Sequence, residues 1–180
     1  MMECGQAMAS NADQYGELYD GHYRRILRLC RLLLGDFHLG EEVCQEVFLR
    51  LHVALSEAGS RETAWDRWLT RVAVNACRDV VRRRWWRLRH SGLAREEREE
   101  ELPATCGDPE STLAGRRTAE RIAAALASLT PRQREVFLLR HFEQWRTDEV
   151  ADALGLDPGS VKRHLYRAVR KLRRALEDTK

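Results

Sequence analysis

A group of side chains near the end of this sequence has the types and the spacing that suit nucleic-acid binding. Its members are Lys162, Arg163, Tyr166, Arg167 and Arg170. Steps of three and four residues place them on one side of a helix. Lysine and arginine bind phosphate oxygens and base edges, so a helix that carries them can enter the major groove of DNA. The alternative is a basic helix face that is only solvated.

The residues around this group predict two helices joined by a tight turn. Thr147 is a candidate cap for the first helix, which Gly155 should end, and Asp157-Pro158 is a start signal for a second helix that continues to Leu176. Only about three residues separate the two helices, which is helix-turn-helix spacing. The apolar positions expected to face inward are Val150, Ala151, Leu154, Val161, Leu165, Ala168, Leu172 and Leu176.

A second candidate contact with nucleic acid lies on a long helix predicted from about residue 63 to residue 89. Its late part interleaves arginines with Trp85 and Trp86. Indole rings stack on unpaired bases while guanidinium groups hold the backbone. We interpret the earlier Trp65 and Trp68 as core residues, because tryptophan is usually well buried. Trp85 and Trp86 are neighbours on a helix, point in different directions and are not both expected in one core.

An acidic helix face precedes this region. Val43, Val47, Phe48 and Leu51 form its inward stripe, and the exposed side carries Glu41, Glu42, Gln45 and Glu46. Carboxylates repel phosphate, so this face is either plain solvated surface or a docking face for a protein.

Charge is distributed in blocks along the chain. Residues 61–90 and 115–180 carry net positive charge, whereas residues 1–60 and 91–114 carry net negative charge. Residues 95–111 combine glutamates with proline and glycine, which predicts an acidic flexible linker. Two basic blocks on either side of this linker indicate two separate nucleic-acid contacts.

The remaining helical signals complete an all-α chain of two small domains. Apolar residues recur at helical spacing from Tyr15 to Leu34, and Gly35-Asp36 ends that run. A helix is expected over residues 116–129, and Thr130-Pro131-Arg132-Gln133 is a capping box that opens another helix to Phe142. We therefore expect a domain over residues 1–92, a linker over 93–112 and a four-helix domain with a helix-turn-helix over 113–180.

Composition limits the class of protein. Hydrophobic residues make up 43% of the 180-residue chain and charged residues 33%, which is typical of a folded soluble protein. No apolar run approaches the roughly 18 residues of a membrane span, and a signal peptide is not evident, so a cytoplasmic protein without membrane insertion is expected. The five cysteines are odd in number and lack a CxxC pair, which favours buried thiols over disulfides or a metal site. No cofactor is implied, and the absence of catalytic motifs argues against an enzyme.

Three strings in their order along the chain resemble bacterial sigma factors of the small extracytoplasmic-function (ECF) group, within the sigma-70 family. Residues 41–51, EEVCQEVFLRL, resemble the family's polymerase-binding helix. Residues 68–79, WLTRVAVNACRD, resemble its promoter-melting helix, and residues 129–140, LTPRQREVFLLR, the start of its fourth region. The resemblance covers nearly the whole chain.

The resemblance implies a role for each surface. The first domain would dock on the β′ clamp of core RNA polymerase through Glu41, Glu42, Gln45, Glu46 and Arg50. It would recognise and melt the minus-ten element with Ser60, Arg61, Trp68, Arg71, Asn75, Arg78 and Arg82, where the segment 56–64 and Asn75 receive a flipped base. The second domain would contact the β flap and read the minus-thirty-five element with Ser160, Lys162, Arg163, Tyr166, Arg167 and Arg170.

The resemblance also implies partners and regulation. The acidic linker would run toward the RNA path of the polymerase, and a membrane-bound or soluble anti-sigma factor would hold the chain inactive, so that the chain alone is constitutively active. Gln144-Trp145-Arg146 and Arg163-His164 depart from the family's usual residues. The promoter sequence is therefore not transferred from the family.

A competing class is a transcriptional regulator with a helical sensor domain before its helix-turn-helix. Such a protein would bind a ligand and bind DNA on its own. The acidic face at residues 41–46 and the Arg/Trp helix would then have no function, whereas both have one in a sigma factor.

Overall fold

The structure is a computed structural model that describes residues 3–58, 64–90 and 121–177, with side chains for 11–57, 64–87 and 121–177. All regular elements in these ranges are helices, which confirms the all-α prediction. They are α1 (Glu3–Leu34), α2 (Phe37–Ala58), α3 (Trp65–His90), α4 (described over 121–127), α5 (Pro131–His141), α6 (Thr147–Leu154) and α7 (Pro158–Glu177). The predicted linker, 93–112, lies outside the described residues.

Helices α1, α2 and α3 share an apolar core, and a tight turn sets the angle between the first two. Gly35 takes a left-handed φ of 70° after α1, as the predicted break at Gly35-Asp36 requires. The carboxylate of Asp36 then accepts a hydrogen bond from the Leu39 backbone N–H at 2.9 Å and caps α2. The predicted inward stripe of α2 is confirmed, since Val43, Val47, Phe48 and Leu51 are all buried.

The start of α5 follows the predicted capping box. The Thr130 hydroxyl accepts from the Gln133 backbone N–H at 3.3 Å, and the Gln133 side chain accepts from the Thr130 N–H at 3.2 Å. Pro131 occupies the first turn, where no backbone donor is needed. The observed helix, Pro131–His141, is close to the predicted one.

Helices α6 and α7 form the expected helix-turn-helix. Gly155 ends α6 with a left-handed φ of 63°, and Asp157 accepts from the Ser160 backbone N–H at 2.9 Å to cap α7. The predicted cap at Thr147 is wrong, because Thr147 is already helical. The Glu149 carboxylate instead accepts from the Arg146 N–H at 2.8 Å and satisfies the first free donor of α6.

Two further expectations need correction. The segment 56–64, which the resemblance assigns to a flipped base, starts within a helix: residues 56–58 belong to α2, and the Ser56 hydroxyl donates to the His52 carbonyl at 3.1 Å. Leu176 was expected to face inward but is 40% exposed. The packed part of its stripe ends at Leu172, which lies against the cluster of Leu126, Leu129 and Ala168.

The two helical groups also contact each other. Buried residues of α1–α3 and of α5–α7 belong to one continuous apolar cluster, and Leu32 of α1 packs against the cluster of Leu126, Leu129 and Ala168. The Arg134 guanidinium donates to the Leu33 carbonyl at the end of α1 at 3.0 Å. The candidate DNA-binding surfaces are therefore part of one packed structure.

Candidate nucleic-acid interface

The outer face of α7 is basic, as predicted. Tyr166 is 67% exposed, and the cations beside it are exposed as well: Lys162, Arg163, Arg167 and Arg170. On the opposite side Val161 and Ala168 are fully buried. This packing fixes the rotation of the helix, so the cations point away from the protein.

The first turn of α7 orients one of these cations. The Asp157 carboxylate accepts from the backbone N–H of Ser160, and the Ser160 hydroxyl also donates to it. The Arg163 guanidinium donates to the same hydroxyl at 2.7 Å. Hydrogen bonds from Ser160 hold the pKa of Asp157 below its usual value. The carboxylate that caps the helix is thereby coupled to the guanidinium of Arg163.

His164 lies beside this face and was not predicted as a site residue. Its side chain is half-buried among the charges of Arg132, Arg163 and Arg167. Burial lowers its pKa most, and the neighbouring guanidinium charges lower it further. A neutral ring is therefore favoured at this place on the helix.

The candidate minus-ten residues that the structure describes follow one another along α3 at steps of three and four. Arg71, Asn75 and Arg82 are exposed, whereas Trp68 and Arg78 are half-buried. An alternative role for the Asn75 amide would be to satisfy a buried backbone group within the helix bundle. The exposure of Asn75 does not fit that role. Ser60 and Arg61 lie outside the described residues.

The tryptophans of α3 divide into a pair that packs against the core and a pair that is exposed, as expected. Trp65 and Trp68 pack against the core and meet in an edge-to-face pair with ring centroids 5.5 Å apart. Trp85 and Trp86 are 54% and 57% exposed, among exposed arginines of the last turns of α3. Indole and guanidinium groups on one exposed surface can stack on bases and bind phosphates.

The acidic face of α2 is exposed and carries apolar side chains that the sequence analysis missed. Glu42, Gln45 and Glu46 are exposed, Glu41 is half-buried, and Arg50 pairs with Glu46 at 2.9 Å. Leu49 and Val53 are 63% and 55% exposed beside them. The sequence could have predicted their exposure. Both residues are apolar, they lie four residues apart, and neither belongs to the inward stripe of α2. An exposed surface that combines acidic and apolar side chains suits binding to a protein partner better than contact with solvent alone.

Arg78 has a partner that sequence spacing could not reveal. Its guanidinium donates twice to the Glu135 carboxylate of α5, with both nitrogen–oxygen distances 3.2 Å. Arg132 donates to the same carboxylate at 2.8 Å. Only 9% of the Glu135 side chain is exposed. A candidate DNA-binding cation of α3 is thus neutralised by an acid of the other domain.

The described cysteines are inert structural groups. Cys30, Cys44 and Cys77 are free and buried between α1, α2 and α3, and burial raises the pKa of the Cys44 thiol to about 12. The prediction of buried thiols is confirmed for these residues; Cys4 and Cys106 lie outside those with described side chains. No helix in the described ranges is long and apolar enough to span a membrane.

Comparison with family models identifies both halves of the chain. Residues 18–87 match Sigma-70 region 2, and residues 119–172 match Sigma-70, region 4. The RNA polymerase sigma-E factor of Streptomyces avermitilis is 35% identical over 85% of this chain and 79% of its own length. The ECF RNA polymerase sigma factor SigG of Mycobacterium tuberculosis is 38% identical over 81% of this chain. The match spans only 44% of SigG, less than half of that relative.

Solved structures show the same fold. The sigma factor RpoE of Bartonella quintana, in complex with the anti-sigma factor NepR, superposes with a TM-score of 0.70 at 17% identity, over 91% of this chain and 97% of RpoE. CnrH, in complex with the cytosolic domain of CnrY, gives a TM-score of 0.66 at 23% identity, over 98% of this chain and 96% of CnrH. The two family matches, together with the ECF sigma factor SigG and the sigma-E factor of Streptomyces avermitilis, show that this chain belongs to the extracytoplasmic-function group of the sigma-70 family.

Proposed function

We propose that this chain binds core RNA polymerase and directs it to promoters as a sigma factor. The observation that carries the proposal is that one chain presents two exposed basic helix faces, on α3 and α7, and a separate acidic and apolar face on α2. A regulator that only bound DNA would need one basic face. Catalysis would belong to the polymerase, so the chain itself is not an enzyme.

The α2 face would dock on the β′ clamp. Its charged and polar residues are Glu41, Glu42, Gln45, Glu46 and Arg50, and Leu49 and Val53 add apolar area that gains from leaving water. Charge complementarity to a basic partner would orient the encounter, and the two apolar side chains would be desolvated at the centre of the contact. The negative charge keeps this face away from DNA, which leaves α3 free for the promoter.

The α3 face would open the minus-ten element. Arg71, Arg78 and Arg82 would track the backbone of the unpaired strand, and the amide of Asn75 would hydrogen-bond the edge of a flipped base. Trp68, together with Ser60 and Arg61 in the segment before α3, would border the pocket for that base. The domain limits 1–92 and 113–180 would assign this step to the first domain.

The α7 face would read the minus-thirty-five element while its domain contacts the β flap. Arg163 and Arg167 would contact base edges in the major groove, and Lys162 and Arg170 would hold phosphates. Ser160 would position Arg163 through the hydrogen bond that the two side chains share. Tyr166 would add an apolar and hydrogen-bonding surface between the cations.

Regulation by an anti-sigma factor is part of the proposal. It is supported by the fold shared with RpoE and CnrH, of which RpoE was solved with an anti-sigma factor. The partner would be soluble or anchored in the membrane, and the chain would act in the cytoplasm. Such a factor would silence a stress or envelope-response regulon until its signal arrives.

Copurification separates the proposal from the competing regulator. A tagged chain expressed in a bacterium should retain the core polymerase subunits, and the isolated complex should start transcription at promoters that core enzyme alone ignores. Binding to duplex DNA without any retention of polymerase would refute the proposal and favour the regulator.

A further inference from the structure

His164 lies at the border between the buried and the exposed faces of α7. Val161 and Ala168, one turn away on either side, are fully buried, whereas Arg163 and Arg167 are exposed. The imidazole ring itself is half-buried. It therefore adjoins the basic face of α7 without being part of the apolar core.

The two nitrogen atoms of the His164 ring differ in their surroundings. The Nδ1 atom is enclosed by protein and forms no hydrogen bond with any residue that the structure describes. An enclosed nitrogen of this kind destabilises the imidazolium, because neither an acceptor nor water stabilises the positive charge from that side. A ligand that approaches from outside would therefore meet the Nε2 atom.

Charged groups from two helices face the His164 ring. They are Arg163 and Arg167 of α7 and Arg132 and Glu135 of α5. The three guanidinium groups disfavour a further positive charge on the ring, and the carboxylate favours one. The Glu135 carboxylate already accepts a hydrogen bond from Arg132 at 2.8 Å. The ring thus lies in a predominantly positive environment that an anion would complement.

The pKa of His164 reports these surroundings in the free chain. Burial lowers it most, and the guanidinium charges lower it further. The ring is therefore neutral at neutral pH. DNA bound to the same guanidinium groups would reverse the second cause, because each phosphate offsets a positive charge and brings a negative one close to the ring.

We propose that His164 is a phosphate-binding residue of α7 whose ring takes up one proton from solvent when duplex DNA binds to the guanidinium groups around it. The Nε2–H of the resulting imidazolium donates to a phosphate oxygen, and the proton stays on the ring while the DNA is bound. The contact with promoter DNA rests on the proposed function. The neutral ring of the free chain follows from its own surroundings.

Proton uptake sets the direction of the pH dependence. The pKa of His164 lies below its ordinary value in the free chain and is raised when DNA binds. DNA affinity should therefore rise as the pH falls from the pKa of the complex to the pKa of the free chain. At lower pH both states hold the proton and this contribution levels off. Uptake of a single proton changes the association constant by at most about tenfold per pH unit.

The first test compares the pH dependence of promoter binding by three holoenzymes. Core polymerase carries the parent chain, His164→Gln or His141→Gln, and binds a rhodamine-labelled duplex from a native promoter between about pH 8 and about pH 5.5. His164→Gln keeps a polar side chain at this position but removes the titrating ring. His141 is exposed on α5 and contacts the Phe137 ring, so His141→Gln is the matched control for the loss of a histidine.

The parent and the control should bind several-fold more tightly at about pH 5.5 than at about pH 8. His164→Gln should match the parent at the higher pH and lose most of the gain at the lower one. An equal gain in His164→Gln, or a parent affinity that rises with pH, would overturn the inference.

A second test uses the parent chain without polymerase and needs no variant. Nuclear magnetic resonance of isotope-labelled histidine follows the His164 ring through a pH titration, alone and with random-sequence duplex DNA at low ionic strength. The pKa should be below the ordinary range in the free chain and should rise with DNA. An unchanged or lower pKa with DNA would overturn the inference. A raised pKa in a chain that fails to bind core polymerase would refute the proposed function and leave the proton-linked phosphate contact standing.

Discussion

At the scale of single residues, the recognition helix depends on guanidinium groups whose partners can be named. Arg163 is held by the Ser160 hydroxyl, and Arg167 projects from the exposed face of α7. We expect Arg163→Ala or Arg167→Ala to cost about 1 to 3 kcal/mol of binding to the minus-thirty-five element and to relax sequence preference. Equilibrium binding of holoenzyme to variant promoters measures this loss.

The control for this prediction lies on the same helix. Arg173 is also exposed on α7 but lies outside the candidate set, so Arg173→Ala should leave the preference unchanged. An equal loss on every sequence for Arg163→Ala or Arg167→Ala would assign the side chain to phosphates instead of bases.

The docking face of α2 gives a second residue-scale prediction. Glu42→Lys together with Glu46→Lys reverses the charge of the face at exposed positions, so core binding should be lost while the fold is kept. Leu49→Ser should weaken binding without a change of charge, because it removes exposed apolar area from the contact. Pull-down of core polymerase measures both effects, with Glu17→Lys on α1 as the control. Unchanged retention of core enzyme would remove α2 from the interface.

At the scale of elements, the hairpin of α1 and α2 requires a glycine. A Cβ atom on Gly40 would lie 2.9 Å from the Cα and N atoms of Arg31, which are backbone atoms and cannot move aside easily. Gly40→Ala should therefore lower the free energy of unfolding by about 1 to 3 kcal/mol. Gly16→Ala is the matched control, because no neighbouring atom lies within 4 Å of its new methyl group; it should raise the stability by about 0.5 to 1 kcal/mol. Denaturant melts that rank the two variants in the opposite order would contradict the close approach.

Helix ends were predictable where the residues that cap or end the helix lie within one turn of its end. The caps at Thr130 and Asp157 and the left-handed glycines Gly35 and Gly155 follow from residues within one turn, and the structure agrees at each. The prediction at Thr147 failed because α6 begins one residue earlier than expected: Arg146 is the N-cap, and the Glu149 side chain accepts the Arg146 backbone N–H. The start of the segment 56–64 was misplaced because the Ser56 hydroxyl bonds back to the His52 carbonyl within α2. Competition between near neighbours is difficult to resolve from the order of residues alone.

The candidate site was predictable in its exposed faces and less so in its contacts. Periodicity placed the basic face of α7 and the acidic face of α2 correctly, because each depends on one helix. The pairing of Arg78 with Glu135 joins residues far apart in the chain, so no helical period contains it. Leu49 and Val53 were passed over because the charge of the same face was the stronger signal.

At the scale of the whole molecule, helices α1–α3 and helices α5–α7 form one packed structure. Arg25, Arg67 and Arg78 each bind an acid of the C-terminal domain. These ion pairs, together with the shared apolar cluster, hold the two helical groups against each other in this structure.

Strand opening is the step that separates a sigma factor from other helix-turn-helix proteins. Asn75 is exposed on α3 between Arg71 and Arg78, where its amide can hydrogen-bond a flipped base. Holoenzyme with Asn75→Ala should still bind the upstream element, since that contact belongs to α7, but it should open the downstream element poorly. Equal opening by variant and parent would exclude Asn75 as a melting residue.

Permanganate footprinting of unpaired thymines on a native promoter tests the central claim most directly. The account predicts reactive thymines in the minus-ten element when core polymerase carries the parent chain, and much weaker reactivity with Asn75→Ala. A parent holoenzyme that leaves every thymine unreactive would contradict the assignment of this chain as a promoter-opening sigma factor.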